Sequence, residues 1–383
     1  MKILMLHNRY QIPGGEDVST HMQVDLLRSA GHHVELFEDS NDRVDEIGVV
    51  RSAAKAIWSV EAHRTVKRLL DADRYDLMHV QNFFPLLSPS VYYAARSAGV
   101  PVVQSLRNFR LVCPEGMLFR DGRACFDCVG KAVAWPAVAH ACYRDSRAAS
   151  SVVLAMDTGH RIAGTWRRMV DRYVTPSAFA AQVFIGAGWD PGSITTIPNF
   201  IHPDPGVGTG DGGFALYAGR LARTKGIPVL LEAWKGLSYP LRIIGDGDLR
   251  PLVEEAAREN DSITYLGSIT IDETLTMMGA ARFIVAPTQG IESFGRVVAE
   301  AQAGGTPAIA SDLGGLSELV EDGVTGCLFP AGDANALRHR VTDMWDRAPG
   351  MRSAARASFD ARFSSRPALE SWERLYGDVA ADH

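Results

Sequence analysis

Short apolar runs alternate with longer amphipathic stretches along this chain. Residues 3–7 (Ile3, Leu4, Met5, Leu6, His7) read as a buried strand. The turn Pro13-Gly14-Gly15 follows, then an amphipathic helix over 16–30 that Gly31 closes. Further strands are predicted at 33–37, 77–80 and 100–105. Strands apolar on both faces, separated by helices, predict a parallel sheet covered on both sides. The pattern then restarts. Strands are predicted at 214–218, 241–244, 264–266, 283–286 and 308–311, with helices at 227–235, 252–258, 274–280 and 297–303. A last amphipathic helix is predicted over 367–379.

The fold class is therefore α/β, with two Rossmann-like, doubly wound domains facing a central cleft. The Gly- and Pro-rich run 203–213 can sustain neither a helix nor a central strand and is read as the linker. The expected domains are 1–205, 206–360 and a helix over 361–383 that crosses back to the first. In open α/β sheets ligands bind beyond the carboxyl ends of the strands. Functional residues are thus expected just after strands.

Composition narrows the classes. The 383 residues are enough for about two domains, each with its own core. A net charge of −6 gives no support to wholesale nucleic-acid binding. No apolar run reaches the roughly 18–20 residues that span a bilayer. The first residues read as a strand rather than a leader, and a cytoplasmic location is expected. Five cysteines in a chain this long argue against a disulfide scaffold.

Two segments carry chemistry. Gly219-Arg220-Leu221-Ala222-Arg223-Thr224-Lys225-Gly226 follows the first strand of the second half. A diphosphate needs positive charge and N–H donors in a confined place. Arg offers a planar fork, Lys a point charge, and the helix starting near Ile227 its positive end. The same residues also fit a solvated basic turn. Glu292 and Glu300 stand eight positions apart, the first in a loop after 283–286 and the second in the following helix. Ser293 is expected to cap that helix, and Gly295 to let backbone approach a ligand. Carboxylates accept from paired hydroxyls, as in ribose binding. Two ordinary surface acids are the rival reading.

The two segments resemble a family when taken in order with Val174-Thr175-Pro176-Ser177, Ile197-Pro198-Asn199-Phe200, Ile244-Gly245-Asp246-Gly247, Leu266-Gly267, Gly304-Gly305-Thr306-Pro307, Gly314-Gly315-Leu316-Ser317-Glu318 and Asp322-Gly323-Val324-Thr325-Gly326. They are similar to the GT-B retaining glycosyltransferases of family four, the glycogen-synthase and sucrose-synthase type. The resemblance covers most of the chain and is strongest over 174–331. It implies a nucleotide-diphosphate sugar donor and a hydroxyl acceptor, with no catalytic cofactor. It implies that Arg220 and Lys225 neutralise the diphosphate, that Glu292 contacts the transferred sugar, and that Glu300 binds the ribose diol. Backbone N–H groups of Phe294 and Gly295 would face the phosphates, with Gly245 and Ile269 completing the donor site. Gly14 and Gly15 match the family's N-domain glycine loop. That loop lacks the G-x-G-x-x-G spacing of a nicotinamide site. A sugar-nucleotide epimerase of the same fold and a non-catalytic sugar-nucleotide sensor are the alternatives.

One position departs from the family. Many relatives carry His where Arg107 stands, touching the donor sugar's far hydroxyl. A permanent cation there suggests an anionic donor group gripped bidentately, such as a uronic carboxylate. The rival is that Arg107 serves the acceptor or pairs with a neighbouring carboxylate. Beside it lie Cys113, Cys125, Cys128 and Cys142, in an insert over about 107–145. Their spacing C-x11-C-x2-C-x13-C fits a structural zinc, with an iron–sulfur cluster or plain thiols as alternatives. Cys327 reads as a buried hydrophobe. Residues 161–172 are basic with apolar positions at helical spacing, which suggests weak peripheral membrane contact or a solvated face packed on the first domain. The sequence does not fix the oligomeric state.

Overall fold

A computed structural model describes residues 1–12 and 14–383; Pro13 of the expected glycine turn lies outside the described residues. The chain forms two compact units. One comprises Met1–Met117, Phe126–Ile197 and Leu369–His383, the other Leu118–Cys125 and Pro198–Ala368.

The first unit is built on six parallel strands: β1 (Lys2–Arg9), β2 (His33–Ser40), β3 (Leu77–Asn82), β4 (Val102–Ser105), and, past the short hairpin of β5 (Phe119–Arg120) and β6 (Arg123–Ala124), β7 (Arg172–Thr175) and β8 (Ile194–Thr196). Their order is β2-β1-β3-β4-β7-β8. Ile3, Leu4, Met5 and Leu6 are all fully buried, so both faces of β1 are covered, as its uninterrupted apolar run requires. The chain builds outward to β2 and then returns to place β3 on the other side of β1. The loops after β1 and β3 therefore straddle a switch point.

The second unit repeats the plan with β9 (Ala215–Ala218), β10 (Leu241–Ile244), β11 (Ile263–Gly267), β12 (Phe283–Ala286), β13 (Ala308–Ser311) and β14 (Gly326–Phe329). Their order is β11-β10-β9-β12-β13-β14, all parallel. One apolar layer joins the helix Ile227–Trp234 to the first half of the helix Ala334–Arg362, through Leu230, Trp234, Leu337, Val341 and Met344. A second layer packs Val298, Ala299, Phe294 and Phe363 on the opposite face. Here the switch point lies between β9 and β12, which carry the two segments singled out above.

The run read as a linker behaves otherwise. Gly208, Gly210 and Gly212 donate backbone hydrogen bonds to Gly304, Gly279 and Ala280. Arg352 Nη2 donates to the carbonyls of Gly208, Gly279 and Gly304 at 2.8–3.0 Å. A Cβ on Gly208 would fall 2.3 Å from Gly279 Cα. These glycines serve close backbone packing within the second unit, not chain flexibility. The segment 161–172 is also not one helix. It breaks at Gly164 (φ +76°), with Trp166 and Val170 buried in the first unit and Ile162 exposed. No helix of the described residues is long and apolar enough to cross a membrane.

Candidate functional site

In the second unit the expected residues converge on the ends of β9, β10 and β12. The loop after β9 runs from Gly219 to Gly226 and is wedged between its neighbours. A Cβ on Gly245, just after β10, would sit 1.9 Å from Gly219 O. One on Gly226 (φ +76°) would sit 1.7 Å from Pro287 O, just after β12. Only glycine lets the three loops approach this closely. Gln289 and Gly290 then donate their N–H groups to Thr224 O at 2.8 and 2.9 Å, and Thr288 Oγ1 donates to the same carbonyl. The β9 and β12 loops thus form one backbone-stapled platform.

On that platform Lys225 Nζ donates to Glu292 Oε1 at 2.7 Å, with side chains 39% and 21% exposed. The pair faces solvent enough to rearrange when a ligand arrives. The Glu292 backbone is itself fixed, since Gly315 N donates to Glu292 O at 2.9 Å. The Arg220 side chain is exposed at the start of the loop, and its carbonyl accepts from Tyr217 Oη at 2.7 Å. Glu292 is one cause that holds the buried Tyr217 phenol up, second to burial itself.

Helix Arg296–Ala303 starts one turn later. Its N-cap is Gly295 in the left-handed region (φ +104°), not Ser293 as expected. A Cβ at Gly295 would meet Leu316 Cδ1 at 2.4 Å, so the tight entry requires glycine. Phe294 is buried and packs edge-on against Phe363 at 5.6 Å, which leaves its backbone rather than its ring for a ligand. Glu300 is held by Arg296, with Nη2 at 2.7 Å and Nε at 3.1 Å from Oε1. Arg296 was not singled out from sequence, although its i, i+4 spacing to Glu300 is the signal for such a pair. Ile269 is half-buried beyond β11, against the second apolar layer.

The first unit places Gly14 and Gly15 at the start of helix Gly15–Ser29. Gly14 has φ −133°, open to any residue, so backbone strain is not what calls for glycine there. The loop is shaped by Asp17, whose carboxylate accepts from Gly14 N (2.8 Å), Tyr10 N (3.2 Å) and His7 Nε2 (2.9 Å). Those hydrogen bonds hold the Asp17 carboxyl below the usual range although burial opposes them.

Arg107 lies just past β4. Its Nε donates to Gln81 Oε1 at 3.0 Å and its Nη2 to Gln23 Oε1 at 3.2 Å. Gln23 Nε2 donates to Tyr376 Oη, which lies 2.7 Å from His79 Nδ1; His79 Nε2 lies 2.9 Å from Ser105 Oγ. Burial, and then the Arg107 charge, keep the His79 imidazole neutral. The guanidinium is thus oriented by a buried amide–hydroxyl network. Sequence reading missed that network, since its members lie up to 353 residues apart.

The metal expectation finds no support. All five cysteines are thiols outside any disulfide, and among the described residues no group of three or more His, Cys, Asp or Glu is placed to hold a metal ion. The spacing was right for a knuckle, but spacing alone does not converge four sulfurs.

Two doubly wound parallel units, one with a Lys–Glu platform at its switch point, define a two-unit α/β protein. Comparison with known proteins makes this specific. Residues 213–347 match the family described as Glycosyl transferases group 1, and residues 14–199 match the Glycosyl transferase 4-like domain. The chain belongs to the group 1 glycosyl transferases and has their GT-B fold.

An uncharacterized glycosyltransferase of Methanocaldococcus jannaschii is 34% identical over 35% of this chain and 39% of its own length. A phosphatidyl-myo-inositol mannosyltransferase of Mycobacterium leprae is 39% identical over 32% of this chain and 34% of its own. These matches span little more than a third of those relatives. The Mycolicibacterium smegmatis phosphatidyl-myo-inositol mannosyltransferase is 25% identical over 97% of this chain and 90% of its own length. Among solved structures, Anabaena HepE in complex with UDP and glucose superposes with a TM-score of 0.67 at 20% identity, covering 98% of this chain and all of that one. A Rickettsia africae glycosyltransferase does so with a TM-score of 0.72 at 16% identity, covering 99% and 98%.

Proposed function

We propose that this protein transfers a glycosyl unit, with retention at the anomeric carbon, from a nucleotide-diphosphate sugar to an acceptor hydroxyl. The observation that carries the reading is the Lys225–Glu292 contact of 2.7 Å on the stapled β9–β12 platform. It puts a phosphate-seeking cation beside a hydroxyl-seeking carboxylate at a switch point. Arg220 and Lys225 neutralise the diphosphate and the charge that develops as it leaves. The N–H groups of Phe294 and Gly295, at the positive end of helix Arg296–Ala303, add donors for a phosphate oxygen.

Glu300, oriented by Arg296, accepts from the ribose diol, and Glu292 accepts from hydroxyls of the transferred sugar. Gly245 and Ile269 border the nucleoside. Gly14, Gly15 and Arg107 are the first unit's contribution. Catalysis is then mainly positioning plus electrostatic stabilisation of the leaving diphosphate. The mannosyltransferase names among the relatives, and a UDP- and glucose-bound structure of the same fold, support a nucleotide-sugar donor.

A thermal-unfolding screen of nucleotide sugars tests the reading, followed by product analysis with the donor that binds. A donor present at 100 times its dissociation constant stabilises the protein by about 2.7 kcal/mol. Transfer with the anomeric configuration kept is the expected product. Conversion of the donor with no acceptor present would make the protein an epimerase, and binding without any turnover would make it a sensor.

A further inference from the structure

A pocket of about 270 Å³ lies on the first unit, between the edge of its sheet and the last helix, Ser365–Ala381. No residue assigned a role above lines it. Arg172 of β7 and Thr195 and Thr196 of the edge strand β8 form its sheet side, and Ser371, Arg374 and Asp378 its helix side. Side chains alternate along β7. Tyr173 turns to the far face, where its ring meets that of Trp189 at 4.5 Å, so Arg172 is left on the face that the helix covers. The helix lays Trp372, Leu375, Tyr376 and Val379 on the sheet, all buried. That i, i+3, i+4, i+7 stripe puts Ser371, Arg374 and Asp378 along one of its flanks.

Two cations face the pocket, and neither is paired. Arg172 Nη1 donates to Gly192 O and its Nε is buried. Among the described residues no carboxylate lies within 4.0 Å of that guanidinium. Arg374 is exposed and makes no ion pair among the described residues either, although Asp378 follows one turn later. Asp171, next to Arg172 in the chain, is engaged elsewhere, accepting from Val102 N at 2.7 Å and lying 3.1 Å from His383 Nε2.

An anion can therefore reach both guanidinium groups without displacing a carboxylate. The lining has a formal charge of +1, two arginines against one aspartate. A phosphate monoester carries about −1.5 to −2 at neutral pH and offers three acceptor oxygens to two guanidinium forks, whereas a carboxylate brings a single charge. Thr195 and Thr196 lend hydroxyls. Asp378, an acceptor without a proton of its own, suits a hydroxyl on the rest of the ligand. At about 30 Å³ per water the volume equals roughly nine waters, room for a phosphate on a short polyol but too little for a nucleotide sugar.

We propose that this pocket binds the phosphate monoester of a small polyol, with the phosphate between Arg172 and Arg374 and a hydroxyl on Asp378. Such a ligand ties β7 to the last helix, which also places Tyr376 Oη in the network around Arg107.

The test is calorimetric titration of the full-length chain with glycerol 3-phosphate, inorganic phosphate and glycerol at fixed ionic strength. Wild type is compared with Arg172→Gln, Arg374→Gln and, as a control for phosphate held at the β9–β12 platform, Lys225→Met. Arg374 is exposed, so its variant keeps the test open should Arg172→Gln fail to fold, which circular dichroism reads. The expected result is a dissociation constant of about 1 mM for glycerol 3-phosphate, roughly threefold weaker inorganic phosphate, and no binding of glycerol at about 20 mM. Each arginine variant should lose about tenfold, and Lys225→Met should lose nothing. No binding of glycerol 3-phosphate at roughly 20 mM overturns the proposal, as does affinity that Arg374→Gln leaves unchanged. Glycerol or inorganic phosphate binding as tightly as the ester overturns it too, the first by removing the anion and the second by removing the polyol.

Discussion

The Lys225–Glu292 pair makes a prediction whose sign is opposite to the usual effect of damaging a binding site. Without ligand, the ammonium that should meet the diphosphate donates instead to a carboxylate 2.7 Å away. A nucleoside diphosphate has to compete with that carboxylate for Lys225, and its own charge is repelled by it. Glu292→Gln removes the competitor and keeps a side chain of the same shape. With side chains 39% and 21% exposed, the pair belongs with half-solvated ion pairs, worth about 0.5–1 kcal/mol. The variant should therefore bind a nucleoside diphosphate that carries no sugar about two- to fivefold more tightly than wild type. Lys225→Met should weaken the same ligand by about 1.5–3 kcal/mol, the range for a charge-assisted hydrogen bond. In Lys225→Met/Glu292→Gln the gain from Glu292→Gln should shrink, since it acts largely through Lys225. Glycosyl transfer by Glu292→Gln should fall sharply despite the tighter diphosphate. Isothermal titration of UDP, GDP and ADP at fixed ionic strength reads all three variants. A Glu292→Gln protein that binds its diphosphate more weakly than wild type would show that Glu292 supports the phosphates rather than competing with them, and would refute the reasoning.

Two further predictions concern stability. Asp157 is buried on helix Arg147–Ile162, and burial, opposed by Arg161, raises its carboxyl to about 6 from 3.8. A carboxyl raised in the folded state binds its proton more tightly there than in the unfolded chain. Its destabilisation is absent below about pH 4, grows between about 4 and 6 and is complete above that, reaching about 3 kcal/mol at 1.36 kcal/mol per unit. Asp157→Asn should raise stability at pH 7 and flatten the fall between pH 4 and 6 in urea titrations; an unchanged pH dependence would dismiss this account. Gly226→Ala should cost well over 2 kcal/mol, because its Cβ falls 1.7 Å from Pro287 O, whereas Gly323→Ala (φ +79°, no atom within 4 Å) should cost only the roughly 1 kcal/mol of a left-handed residue. Equal costs in the two variants would show that the β9 and β12 loops are free to part.

What the sequence disclosed follows from where each signal resides. The strands over 241–244, 283–286 and 308–311 were legible to the residue, because each is mostly apolar, only Arg242 and Ser311 departing, and Pro or Gly stands close to its ends. Strands β7 and β8 were not assigned. Arg172 and Thr175 leave only Tyr173 and Val174 apolar in the first, and Ile194 is the one apolar residue of the second. The helices over 43–72 were also passed over. They are three separate helices, Arg43–Ile47, Val49–Ile57 and Val60–Ala72, broken at Gly48 and at Trp58-Ser59, so the apolar period restarts twice within 30 residues. The glycine run 203–213 misled for a physical reason: the absence of a Cβ that makes a chain flexible also lets two backbones touch, and only the partner's position tells which use applies.

The site divides in the same way. Lys225 and Glu292 lie 67 residues apart, yet each follows a legible strand, so the topology of the sheet alone was enough to bring their loops together. The surroundings of Arg107 had no such guide. Gln23, His79, Gln81 and Tyr376 come from a helix, a strand and the last helix of the chain, and a buried glutamine looks in sequence like any surface glutamine. Their placement changes what Arg107 can do. The two amide oxygens fix the direction of the planar Arg107 guanidinium, which a single contact would leave free to swing. Paired with carboxylates, as Arg43 is with Asp39 and Glu61, the same side chain is neutralised and serves shape instead. Two arginines of the first unit are thus held differently, Arg107 against glutamine oxygens and Arg43 against two carboxylates, a difference invisible in composition.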